Sequence, residues 1–216
     1  MENRQSLIQL NAAEQRIIGA LIEKSRTTPD YYPMTVSALT NACNQKTSRN
    51  PVVNYDEETV TLTLNALKIK GLVSTATGGS SRVIKYKHNL AIVYPLVPSE
   101  LSVLCLLLLR GPLTPGEINT NSARLYEFET IEEIQTILQK LSGEDPPYVV
   151  QMDKKPGQKE ARYHHLLGTG PAEPELPVND IISSASPEPS ALELRVSKLE
   201  QELEEMKEMI NILLNQ

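Results

Sequence analysis

Apolar positions along this chain fall into the same order twice. Ile17, Ile18 and Leu21 follow Ala13-Glu14, and Val103, Leu104 and Leu107 follow Ser99-Glu100 at an offset of 86 residues. Thr35-Val36-Ser37-Ala38-Leu39 is answered by Thr114-Pro115-Gly116-Glu117-Ile118 at an offset of 79. Val60, Leu64 and Leu67 are answered by Ile134, Leu138 and Leu141 at 74, and Lys85-Tyr86-Lys87-His88 by Arg162-Tyr163-His164-His165 at 77. Spacings of three and four residues predict helices, and short alternating runs beside glycine predict strands. The pattern predicts helices over 11–25, 35–44 and 56–70, and again over 99–110, 114–125 and 130–142. A hairpin closes each set: 72–75 with 83–87 across Gly78-Gly79, and 148–152 with 161–166 across Pro156-Gly157. Three helices and a hairpin is the order of a winged-helix domain, and a repeat of about 80 residues is domain-sized.

Polar punctuation supports these starts. Asn11 with Glu14, Thr114 with Glu117 and Thr130 with Glu133 fit the capping box, and Pro115 sits at a first helical position. Beyond residue 167 the texture changes. Pro171, Pro174, Pro177, Pro187 and Pro189, among Ser, Gly and Glu, predict a flexible acidic linker. The last segment carries Leu192, Val196, Leu199, Leu203, Met206, Ile210 and Leu213 at alternating spacings of 4 and 3, an unbroken heptad. Val196, Leu203 and Ile210 at a, with Leu192, Leu199, Met206 and Leu213 at d, predict a parallel homodimer. The Arg195–Glu200 and Glu202–Lys207 pairs then match across it. The other reading of the same stripe is one amphipathic helix folded back on its own domains. The expected fold is α+β, mostly α. Winged-helix domains cover 1–96 and 97–167, followed by a linker over 168–190 and a coiled-coil helix over 191–216.

Charge changes the picture once it is divided. The net charge is −6, yet residues 1–96 carry +4, residues 97–170 carry −3 and residues 171–216 carry −7. The tail therefore conceals a first half that is basic. Cys43 and Cys105 lie inside apolar helical patterns and read as small buried hydrophobes of a reducing compartment. The N-terminus lacks signal-peptide texture, and the longest apolar run, 103–109, is too short to span a bilayer. A soluble cytoplasmic protein with no membrane partner is expected.

Several of these runs resemble the YceH-like family of uncharacterised bacterial proteins. They are 42–54 (Ala-Cys-Asn-Gln-Lys-Thr-Ser-Arg-Asn-Pro-Val-Val-Asn), 107–111 with 114–117, Ala123 to Phe128, and Pro156-Gly157 with Arg162-Tyr163. The resemblance spans about residues 10 to 167, with a helical tail in the same place. It implies a tandem winged-helix fold, a bacterial origin and no catalytic residues to transfer.

No catalytic constellation emerges from the residues themselves. Three histidines, without Cys-x-x-Cys or His-x-x-x-His, make no metal set, and His164 and His165 on one strand are expected to face opposite sides. Thr77-Gly78-Gly79-Ser80-Ser81 lacks the lysine and following helix of a phosphate loop. A non-enzymatic protein without cofactor or metal is expected. In DNA-binding winged helices the third helix reads the major groove. Here the outward side of the first third helix carries Glu58, Leu62, Asn65, Ala66 and Ile69. The second carries Glu132, Thr136, Gln139 and Lys140, and neither set suits base edges. The hairpins and the loop before helix three do gather cations: Lys46, Arg49, Arg82, Lys85, Lys87, Lys154, Lys155, Lys159 and Arg162. Such a set suits phosphate contacts and predicts a DNA-associated, regulator-like protein. The alternative is a protein–protein scaffold docking through Leu62 and Ile69. Tandem winged helices of the chromosome segregation and condensation protein B type offer a fold-level analogy for that use.

Overall fold

Three helix starts among the described residues, those opened by Asn11, Val97 and Thr114, are built from one device, a glutamate in the first turn reaching back to the cap. In the computed structural model, which describes residues 6–76, 83–154 and 157–168, α1 (Ala12–Thr27) opens with a complete capping box. Asn11 Oδ1 accepts the Glu14 N–H at 2.9 Å, and the Glu14 carboxylate accepts the Asn11 N–H at 2.8 Å. The counterpart glutamate, Glu100, accepts the Val97 N–H at 2.9 Å, which is all the box a valine cap allows. Both carboxylates are buried, and in each half a lysine from the end of the third helix or just past it meets them: Lys70 at 2.7 Å from Glu14, Lys140 at 2.5 Å from Glu100. Burying a carboxylate without such partners would cost several kcal/mol.

After α1, a short 3-10 turn (Pro29–Tyr31) leads to α2 (Val36–Cys43) and α3 (Glu57–Ile69), capped by Thr35 and Asp56. Strands β1 (Val73–Ala76) and β2 (Lys85–His88) pair antiparallel, with Val73 opposite His88. A single turn, α4 (Leu90–Val93), leads to the second set: α5 (Pro98–Arg110), α6 (Pro115–Ser122) and α7 (Ile131–Gly143). Strands β3 (Val149–Gln151) and β4 (Tyr163–His165) pair antiparallel, Val149 opposite His165. In both halves the hairpin is tied back to the residue before the second helix. Met34 exchanges backbone hydrogen bonds with Tyr86, and Leu113 with Tyr163.

The expected helices are all present, with ends shifted by a few residues. The helix placed over 114–125 stops at Ser122, whose carbonyl accepts the Leu125 and Tyr126 N–H groups in a tight turn instead. The box expected at Thr130 is half formed, because Glu133 reaches the Glu129 N–H at 3.0 Å rather than the cap.

One hydrophobic core runs through both halves. Its centre is the packing of α1 on α5. Gly19 lies against Leu109 and Leu108 so closely that a Cβ there would meet Leu109 at 2.8 Å, and the Cys105 thiol donates to the Gly19 carbonyl at 3.4 Å. Cys43 and Cys105 are both fully buried, and burial pushes both thiols up, Cys43 to about 12. Tyr94 adds a second link, accepting the Ile8 N–H at 2.8 Å while its ring meets Tyr148 edge-on at 5.6 Å. Among the described residues no helix is long and apolar enough to cross a membrane. A second unit, Glu175–Gln216, lies outside the described residues, as do the expected linker and the heptad residues from Leu192 to Leu213.

Candidate functional site

Arg49 is not on the surface. The loop after α2 folds it inward, and its side chain is 0% exposed. The guanidinium donates to both Glu23 oxygens, at 3.0 and 2.6 Å, and to the Ala42 carbonyl at 3.1 and 3.0 Å. Burial raises the Glu23 carboxyl, but the Arg49 hydrogen bonds and charge outweigh it and hold the acid below its ordinary range. A guanidinium so enclosed cannot reach a phosphate, which removes Arg49 from the expected DNA-contacting set. Beside it, buried Arg16 donates to the Cys43 and Pro51 carbonyls. Together the two arginines staple the loop over 44–51 to α1. Arg16 was legible as an anomaly, a cation inside the apolar run of α1. The Arg49–Glu23 pair was not, since 26 residues separate its members.

Arg162 is also engaged. It forms a bidentate pair with Glu117, at 2.6 and 2.8 Å, and reaches the Pro112 carbonyl at 2.7 Å. The remaining expected cations divide simply. Lys46, Lys87, Lys154 and Lys159 are exposed, Lys85 is half-buried, and none carries an ion pair among the described residues. Arg82 and Lys155 lie outside the described residues. Lys85 and Lys87 flank buried Tyr86 on β2, so both stand on the outer face of their hairpin.

On α3, Leu62 is 64% and Ile69 89% exposed, two turns apart on one stripe. His164 and His165 do not part to opposite sides as strand alternation predicts. Both are buried and their ring centroids lie 4.4 Å apart, so the two side chains are enclosed side by side. Both ring nitrogens of His164 and Nδ1 of His165 lack hydrogen-bond partners. Burial drives both pKa values down, that of His165 to about 3. No group of three metal-ligating side chains occurs among the described residues.

A cleft of about 470 Å3 opens between the halves. Its walls are the end of α1 (Glu23, Lys24, Thr27), the loop over 45–48, and the end of α6 with Arg124 and Leu125. Leu106, Leu109 and Arg110 of α5 complete the lining. A neighbouring recess of about 340 Å3 shares Ser48, Arg110 and Asn121 with it and reaches Arg49, Asn50 and Arg162. The composition pattern had not marked this place, because its residues come from four separate segments.

Residues 10–158 match the profile of the family described as "Protein of unknown function, DUF480". The chain belongs to this family. A DUF480 relative from Shewanella pealeana, named UPF0502 protein, is 45% identical over 96% of this chain and all of its own. Another UPF0502 protein, from Shewanella piezotolerans, is 46% identical over 94% of this chain and 96% of its own. One from Opitutus terrae is 43% identical over 83% and 75%. The DUF480 match spans the two helical sets, the first hairpin and β3.

Proposed function

We propose that this chain is a non-enzymatic, cytoplasmic tandem winged-helix protein that holds duplex DNA by its hairpins and works as a homodimer through the heptad over 192–213. The observation that carries this reading is how cations are shared out. Every ion pair among the described residues draws on Lys24, Arg49, Lys70, Lys140 or Arg162, while Lys85, Lys87, Lys154 and Lys159 of the hairpins have none. A cation kept out of the protein's own ion pairs is available to a phosphate. The third helices bring no matching base-reading chemistry, with Leu62 and Ile69 outward on α3 and Glu132 and Thr136 exposed on α7. Binding is therefore electrostatic and nearly sequence-independent.

Fluorescence anisotropy of a labelled duplex at two salt concentrations tests this. Affinity should fall steeply with salt, by a log–log slope of about 0.9 per phosphate contact. Replacing Lys85, Lys87, Lys154 and Lys155 with Ala should reduce that slope and leave base preference unchanged. Absence of binding at low salt ends the DNA reading. The second reading, a protein-docking scaffold, is favoured by the apolar stripe of Leu62 and Ile69, and it predicts duplex binding too weak to detect.

A further inference from the structure

The cleft between the halves gathers three cations that make no ion pair among the described residues, although the Glu23 charge is felt at Arg110. Lys46 comes from the loop after α2, Arg110 from the end of α5 and Arg124 from just past α6. The one carboxylate lining the cleft, Glu23, is already held by Arg49 and by Lys24 at 3.1 Å. Three helices also end here, α1, α5 and α6, and cations commonly sit at such ends to offset the helix dipole. Each end brings about half a negative charge, roughly one and a half in all. Three uncommitted cations exceed that, so the cleft is positive on balance.

The loop forming one wall is rigidly held. Ser48 sits at φ +62°, a left-handed conformation that costs a non-glycine residue about 1–2 kcal/mol. It stays there because the Arg49 guanidinium grips its carbonyl at 2.9 Å and Asn50 N–H donates to the Leu109 carbonyl at 2.8 Å. The backbones that carry Lys46 and Arg110 are thus tied together before any ligand arrives. A volume of about 470 Å3 suits a small molecule rather than a polymer. Guanidinium forks arriving from separate elements suit a multiply charged, tetrahedral anion better than one flat carboxylate.

We infer that the cleft between the two halves binds a small phosphate-bearing anion, a phosphomonoester or diphosphate, held by Arg110, Arg124 and Lys46 with Ser48 beside them. This site is separate from the hairpin lysines and does not rest on DNA binding. The test is isothermal titration of the full chain with inorganic pyrophosphate, ionic strength held constant with sodium chloride. One saturable site per chain is expected. Arg110→Ala with Arg124→Ala should weaken it at least tenfold, and Lys87→Ala with Lys154→Ala should change it less than twofold. Arg124 is exposed and makes no ion pair, so Arg124→Ala alone leaves the fold intact and should still weaken binding at least threefold. The inference is overturned if no saturable binding remains at constant ionic strength. It is equally overturned if Arg124→Ala has no effect, or if the hairpin variant loses as much as the cleft variant.

Discussion

Three histidines are kept neutral by burial, and they give the protein an acid-side weakness. Burial, reinforced by Arg26, holds His88 at about 4, while His165 lies at about 3 and His164 below its ordinary value. Unfolded histidine titrates near 6.5. Between that value and the folded pKa the unfolded chain binds protons that the folded chain refuses, so stability falls as pH falls. Above about 7.5 these groups add almost no pH dependence. The slope is about 1.4 kcal/mol per pH unit for each histidine involved. Urea midpoints at pH 8.5 and 7.5 should therefore nearly agree, with a marked drop by pH 4.5. His165→Leu should flatten that drop, and an unchanged profile would show that the weakness lies elsewhere. At this scale the sequence told residue types but not partners. The surface role expected of Arg49 failed because the carboxylate that captures its loop, Glu23, stands on α1, 26 residues earlier.

Elements were the most legible level. Capping residues and three-four spacing located the six main helices, since both signals are local. The single turn α4 carried neither signal and went unread, and it leads directly into Tyr94, which connects the halves. The α3 stripe was legible because periodicity assigns every position a direction. Leu62→Ser with Ile69→Ser should change folding stability by about 0.5 kcal/mol or less per site, as expected for surface positions. A loss of several kcal/mol in chemical denaturation would mean that something covers the stripe. Helix against helix, the crossing of α1 and α5 depends on the missing side chain of Gly19. Gly19→Ala forces a methyl into Leu109 and should cost about 1–3 kcal/mol, despite alanine's better helix propensity. A gain in thermal stability would show that Leu109 yields without strain.

At the scale of the whole molecule, the duplication was readable but its packing was not. Offsets of 86 and 74 between the halves foretold matching helices. They did not foretell that each half repeats a buried glutamate met by a lysine, Glu14 with Lys70 and Glu100 with Lys140. Nor did they reveal that the first helix of each half would seal the other in one core. Removing everything after residue 174 leaves that core intact, so the truncated chain should unfold in one cooperative transition. Light scattering should find it monomeric and the full chain dimeric. Equal masses would refute the heptad dimer.

Leu10 and Gly168 pair as neighbouring backbones, the Leu10 N–H donating to the Leu167 carbonyl at 2.9 Å. Any Cβ on Gly168 would meet the Leu10 carbonyl at 2.7 Å, so only glycine allows the approach. The polypeptide thus returns to its own starting point, and the packed body is topologically a ring cut once. Where that cut falls is a matter of gene order rather than of packing. A peptide linker joining 168 to 6, which keeps Ile8 on Tyr94, would let the same body be written from a new first residue, for example within the exposed bend at 144–145. The acidic tail could then be moved to another point on the surface without altering the core that carries it.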